Sequence, residues 1–447
     1  MPGLYASFTR AGQRWAAREK QRATPLENPA LAIFIAPTAP KTGTRGTDLF
    51  ILGGAEGLHA AGLLDGAGGF DIAIFTSDLF ATDGDFVHLR NMEGLWLHGS
   101  GAQSLTLGAN AAAAFTGGRV TVLAEGAASV MADGSALPAT ASLLLHAGAG
   151  ADTLTGGAGA DALLGGTGDD LLVGGAGSDL LAGGAGQDTL RGGMGDDILQ
   201  GGSGDDTLSG GAGRDLLQGG DGADRLDGGV GADLLFGGLG NDRYIVDDAG
   251  DRVSEAGGGG VDTVVSSLSF TLGVGIENLT LSGTASLTGT GNGVDNRMLA
   301  NDAGSLLAGL AGRDTLIGGA GEDVLAGGLG ADRLTGGAGA DHFRYGSAGE
   351  GGDSVTDFLP GSDVIEVSAA GFGGGLAASM DLLATGRFTS NTMGLSDAPA
   401  GTGQFILEPD ADQLWWDADG EGTAAAVRIA LFAAGTSLAA GDLQVIA

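Results

Sequence analysis

The sequence predicts an all-β chain built as a stacked solenoid, with a β cap at its C-terminal end and a short helix at its N-terminal end. Two observations carry that prediction. A nonapeptide of the form G-G-x-G-x-D-x-L-x runs from Gly156 to Phe236 in nine copies with no insertion. Outside it, short segments of alternating apolar and polar residues recur, such as SLTL and VTVL, and read as strands. A fixed short period is the signature of a solenoid, in which each repeat stacks on its neighbours because it cannot enclose a core alone.

Within the array, Asp152, Asp161, Asp170, Asp179, Asp188, Asp197, Asp206, Asp215, Asp224, Asp233 and Asp242 recur every nine residues. Two residues after each stands an apolar side chain, Leu in ten cases and Tyr244 in the last. Each repeat therefore divides into a glycine-rich turn and a strand of about three residues. Side chains alternate along a strand, which points the Leu inward. Glycine suits the turn because it adopts positive φ and lets backbone carbonyls approach a ligand closely.

Two repeats make one flattened turn, with Leu facing Leu, and stacking sets each Asp above the Asp two repeats later, roughly 4.8 Å away. Like charges at that spacing repel by roughly 1 to 3 kcal/mol. The eleven Asp form stacks of six and five, with nine neighbouring pairs. Even the low end sums to about 9 kcal/mol, comparable with the whole stability of an ordinary domain. A cation must lie between the carboxylates. A hard divalent ion fits oxygen donors, and Ca²⁺ tolerates this geometry better than Mg²⁺. An acidic, glycine-rich disordered linker is the alternative, but it has no reason to keep an apolar residue at every ninth position.

These repeats resemble those of the RTX family of secreted calcium-binding proteins. The resemblance implies a right-handed parallel β-roll in which the Asp side chain and the carbonyls of the GGxG turn bind Ca²⁺, here including Gly157, Gly159, Gly166, Gly168, Gly175 and Gly177.

Composition narrows the partners. The chain has 447 residues and a formal net charge of −35, with pI near 4.1, which argues against nucleic acid or an anionic membrane as a partner. There is no Cys, so disulfides and thiolate metal sites are excluded. No apolar run reaches the length of a membrane span, and the expectation is of no transmembrane segment and no cleavable signal peptide. Together these features suit a chain exported unfolded that gains rigidity from metal outside the cell.

Along the chain, residues 1–42 read as a basic helix and linker, with Arg10, Arg14, Arg18 and Arg22 four apart and Pro25 and Pro29 ending the helix. Residues 43–146 read as degenerate solenoid: GTRGTDLFI keeps Asp48 and GAGGFDIAI keeps Asp71. A separate small β-sandwich is the alternative there. Residues 147–246 are the main array, and 247–308 an irregular spacer that resembles modules found between RTX blocks. Within the spacer, NDAGSLLA at Asn301–Ala308 is one residue short and lacks the Asp. Residues 309–346 form a second array with Asp314, Asp323, Asp332 and Asp341. His342 falls at an outward position and reads as surface.

Residues 347–447 resemble the C-terminal region of serralysin-type secreted proteins. That resemblance implies a β cap and an uncleaved type I secretion signal, with the final DLQVIA as its end and the type I secretion apparatus as a partner. Asp353 and Asp357 are expected to complete the last metal site. Asp417, Asp419 and Gly420 form a D-x-D-G loop that reads equally as a further calcium loop or a plain β-turn.

No catalytic residue emerges. The five His stand at 59, 88, 98, 146 and 342, without the H-E-x-x-H of a zinc protease, and there is no G-x-S-x-G elbow. A pair of carboxylates acting on a glycoside has no sequence pattern. Two readings stand: a non-enzymatic secreted calcium-binding protein with a cell-surface or polysaccharide partner, acting in adhesion or matrix, and a secreted enzyme acting on polysaccharide. Trp96, Trp415 and Trp416 would mark a sugar-binding groove if they were exposed beside acids.

Overall fold

The structure is a computed structural model that describes residues 32–35, 39–124, 128–255, 257–392, 396–399, 401–420 and 426–447. The expected basic helix, with its four Arg, lies outside the described residues. The chain is a parallel β-solenoid of about 20 turns, so the fold class read from the period of nine holds.

The array explains itself residue by residue. Ten Leu at the eighth position of the repeat, from Leu154 to Leu235, are fully buried. Burying one Leu contributes roughly 1.5–3 kcal/mol, so ten of them supply the apolar line along which the turns close. Strands on one side, such as Leu180–Ala185 and Ile198–Ser203, pair in parallel with a register of 18 residues, Leu181 on Leu199. Those on the other side, such as Thr189–Met194 and Thr207–Ala212, do the same, Leu190 on Leu208.

These strands are six residues long where three were expected. The difference lies in the glycine pair. The second glycine takes φ of +119° at Gly193 and +113° at Gly211, a conformation that costs glycine little, and this keeps Gly193 paired with Gly211. The ladder therefore continues into the turn. A side chain at Gly193 would also collide with the Gly175 carbonyl of the preceding turn.

One sheet begins at Ala32–Ile35 and passes through Asp48–Leu52, Ile72–Phe75, Gly94–Leu97, Arg119–Ala124 and Ser142–Ala149 into the array, ending at Arg252–Ser254. These strands thus share a sheet with the array, although the turns between them are longer and less regular, and Lys41–Thr42, Leu64–Asp65 and Leu89–Arg90 pair instead in a small sheet of their own. A second sheet on the opposite side runs without a break through the spacer, from Thr263–Ser266 to Asn278–Leu281 and Arg297–Leu299, and on to Asp353–Val355. The first sheet has no such continuity. A new one takes its place at Phe270–Thr271 and ends at the C-terminal strand Leu443–Ile446.

The far end is closed by an antiparallel hairpin, Gln404–Glu408 with Gln413–Asp417, joined to Val427–Phe432. Its core is aromatic: Trp416 packs on Phe405 and Phe372, and Phe358 bridges Phe343 and Phe432. Covering a solenoid end in this way removes exposed strand edges. Among the described residues no helix is long and apolar enough to cross a membrane.

Candidate metal centre

Each array Asp immediately precedes its strand and turns its carboxylate back along the solenoid. One oxygen, Oδ1, accepts the backbone N–H of the Asp one turn earlier. Asp170 N–H donates to Asp188 Oδ1 at 2.9 Å, and Asp179 N–H to Asp197 Oδ1 at 2.8 Å. Repetition of this bond makes two ladders. One runs through Asp152, Asp170, Asp188, Asp206, Asp224 and Asp242 to Asp262, whose own N–H donates to Glu277 Oε2 at 2.9 Å. The other runs through Asp161, Asp179, Asp197, Asp215 and Asp233 to Asp251.

The second oxygen is treated differently. In Asp152, Asp170, Asp179, Asp188, Asp197, Asp206, Asp215, Asp224, Asp233 and Asp242, Oδ2 is buried and has no hydrogen-bond partner. A buried acceptor left without a partner costs about 1–3 kcal/mol, and more when charged, so ten in succession require a counterpart. The glycines show where it belongs. A Cβ built on Gly192 would meet Asp197 Oδ2, and would lie 2.6 Å from the Gly210 carbonyl oxygen one turn on. Gly174 has the same relation to Asp179 Oδ2 and the Gly192 carbonyl, at 2.7 Å. Carboxylate and carbonyl oxygens thus converge over a glycine that leaves the space open. Such an all-oxygen set is what a hard divalent cation takes.

Electrostatics agrees. Burial, followed by the charges of stacked neighbours, pushes Asp170, Asp179, Asp206 and Asp224 up to about 7. Asp152, Asp215 and Asp233 are raised to about 6, with burial the leading cause. The amide that each Asp accepts pulls the other way without cancelling the burial. These carboxyls resist ionising unless positive charge accompanies them.

The residues named from sequence occupy several situations. Gly166, Gly168, Gly175 and Gly177 have φ between +112° and +122° and form the array turn. Gly157 and Gly159 lie in the opening turn and do not share that positive φ; Gly157 N–H donates to Asp161 Oδ2 at 2.6 Å. In the second array, Asn296, Asp314, Asp332 and Asp353 form one ladder and Ser305, Asp323, Asp341 and Asp363 the other. Asp314, Asp332 and Asp353 keep an unpartnered Oδ2, whereas Asp323 Oδ2 accepts Gly319 N–H. Asp353 is raised to about 8, first by burial.

Asp357 lies apart from both ladders. It is exposed, and its two oxygens accept the amides of Gly336 and Gly337, each at 2.8 Å. The ladder position belongs instead to Asp363, because Asp363 and not Asp357 stands two residues before a buried strand residue, Ile365. His342 does take the outward face of its strand, next to the buried Phe343, but is partly covered there, with Glu366 at 2.8 Å and Glu322 at 3.4 Å. In the D-x-D-G loop, Asp417 Oδ1 accepts the amides of Asp419 and Gly420, the geometry of a capped turn.

Sequence reading missed Asp251, Asp262, Asn296, Ser305 and Asp363 as ladder members. The signal was available, since each stands two residues before an apolar strand residue: Val253, Val264, Met298, Leu307 and Ile365. In the N-terminal turns the same bond runs from Asp48 to Asp71, and from Asp71 to the longer Glu93.

Comparison with known proteins identifies the repeat. The model of the RTX calcium-binding nonapeptide repeat matches in four copies, at residues 144–172, 173–208, 209–244 and 308–343. In those four segments the chain carries RTX calcium-binding nonapeptide repeats. Its RTX repeats are calcium-binding repeats, and the matched segments coincide with the regular ladders. No curated protein matches the chain in sequence. Among solved structures, the extracellular lipase LipA from Serratia marcescens is similar at 18% identity and a TM-score of 0.23. That match covers 62% of this chain and 44% of the lipase chain, so the RTX-repeat chain spans less than half of the lipase.

Proposed function

We propose that the chain is a secreted, non-enzymatic calcium-binding β-roll that folds as calcium fills its two Asp ladders outside the cell. The carrying observation is the row of buried, unpartnered Oδ2 atoms aimed at glycine carbonyls. Asp152 to Asp242 of the main array, and Asp314, Asp332, Asp341 and Asp353 of the second, would hold the ions together with the turn carbonyls. Asp161 and Asp323, whose Oδ2 atoms already accept an amide, would bind more weakly. Calcium, when bound, supplies the positive charge that lets stacked carboxylates ionise while buried.

The protein's own part is to stack. In a cell, where free calcium is scarce, the ladders repel and the chain stays open for export, by this reading through a type I apparatus that recognises the C-terminal end. Outside, millimolar calcium saturates sites of the modest affinity common in extracellular modules. We extend this reading to a role in adhesion, matrix or surface assembly, against a polysaccharide or cell-surface partner. Trp416, one of the residues that would mark a sugar groove, packs inside the cap.

Equilibrium dialysis of the full chain against buffered calcium tests the ladder assignment. The wild type should retain several ions per chain. The Asp197→Ala variant, which loses one Oδ2 and the bond to Asp179 N–H, should retain at least one fewer and bind the rest less cooperatively. An unchanged stoichiometry would remove Asp197 from the ligands.

A further inference from the structure

The first sheet stops at Arg252–Ser254, and the residue that follows is Glu255. It is 7% exposed, and both of its carboxylate oxygens are buried without a hydrogen-bond partner. Two ladder residues on the opposite side face it. Asp242 and Asp262 precede the paired strands Arg243–Val246 and Thr263–Ser266, and Asp242 N–H donates to Asp262 Oδ1 at 2.8 Å. Asp242 Oδ2 is also unpartnered. One oxygen from each of the three acids lies within 4.8 Å of the others.

That spacing is informative. Ca²⁺ holds its oxygens at about 2.4 Å, so no two donors to one ion stand more than about 4.8 Å apart, a limit that this trio meets. A fourth donor is at hand. A Cβ on Gly258 would meet both Glu255 Oε2 and the Gly238 carbonyl oxygen, so these two oxygens border one space that glycine leaves open. The other ladder ends differently. Asp251 accepts Asp233 N–H on Oδ1 and the amides of Asp247 and Asp248 on Oδ2, at 3.1, 3.2 and 3.0 Å. Backbone donors therefore close that ladder, while the ladder through Asp262, which runs on to Glu277 Oε2 at 2.9 Å, brings two carboxylates beside Glu255 with oxygens to spare.

We propose that Asp242, Glu255 and Asp262, with the Gly238 carbonyl, form a calcium site distinct from the repeated ladder sites and tighter than they are. A ladder site draws its charge from stacked Asp alone, whereas this one adds a third carboxylate from a residue in no repeat. More carboxylates in a rigid site raise calcium affinity. The ion there ties segment 255–262 to the end of the main array, where the first sheet is interrupted. This goes beyond the ladder reading: it shares Asp242 and Asp262 with one ladder and adds Glu255 and the Gly238 carbonyl, which belong to none.

The test is a calcium titration of the full chain in calcium-buffered solution, from submicromolar to millimolar free ion. The wild type should show one tight ion per chain ahead of the ladder ions. Glu255→Gln should lose that ion or bind it at least tenfold more weakly while filling the ladders normally, and Asp262→Asn, whose Oδ1 still accepts Asp242 N–H, should also lose or weaken the tight ion. Asp197→Ala should keep the tight ion and lose ladder ions. The site is overturned if Glu255→Gln binds as the wild type does, as a cluster held together by shared protons would. It is equally overturned if Asp197→Ala abolishes the tight ion as fully as Glu255→Gln. A wild type that binds no calcium would overturn the ladder assignment itself.

Discussion

Transfer of the protein into a calcium chelator at pH 8 should abolish most of its far-ultraviolet β signal, and millimolar calcium should restore it. The size of the effect follows from linkage. An ion at 100 times its Kd stabilises the folded state by about 2.7 kcal/mol per site. Four such sites already exceed the lower end of ordinary domain stability, about 5–15 kcal/mol, and the main array offers ten unpartnered Oδ2 atoms. Without ions, each neighbouring pair of ladder Asp instead repels by about 1–3 kcal/mol. Magnesium at the same concentration should restore less, because it demands octahedral geometry and gives up its water reluctantly. Circular dichroism and a thermal melt in chelator are the measurements. A chain that keeps its full β signal there does not fold by this route.

Acid should partly replace calcium. The carboxyls of Asp170, Asp179, Asp206 and Asp224 rise from 3.8 to about 7, and those of Asp215 and Asp233 to about 6, chiefly through burial. A carboxyl raised on folding takes up protons more readily in the folded chain than in the unfolded one. Its contribution is therefore complete below the unfolded value, near 3.8, and is lost as pH rises through 6 to 7. The metal-free chain should melt higher at pH 5 than at pH 8, opposite to the usual weakening of proteins by acid. Calcium must displace those protons, so its affinity should fall by about tenfold per proton released for each pH unit below 7. Melting curves in chelator from pH 8 to pH 5 decide this; a melting temperature that stays level or drops contradicts it.

Much of this was legible because the repeat states its geometry. A Leu at the eighth position of every nonapeptide can only be a buried line, and an Asp two residues before it can only stack. What the sequence concealed has two physical causes. The ladder is defined by a place in the turn rather than by aspartate, so Glu93, Asn296 and Ser305 keep their places with other side chains. Glu255 is harder still. It lies outside every repeat and reaches the Asp242 ladder only because the first sheet ends beside it, a fact of three-dimensional stacking. Asp357 shows the converse: an acid near the end of the last array that serves a turn's amides.

The 18-residue register has a consequence for length. Each turn of the array presents the same Leu, the same Asp and the same glycine pair to the turns before and after it. Nothing within the array tells one turn from the next, so phase is set at its ends: by Leu143 N–H on Asp161 Oδ1 at one, and by the Asp251 closure and the Glu255 pocket at the other. Inserting a single nonapeptide would exchange the two faces beyond that point and bring each end to the wrong ladder. Inserting two would lengthen the protein by one turn, roughly 4.8 Å, with both ends still seated. The array is a ruler graduated in steps of 18 residues, and its reach can change without renegotiating either end.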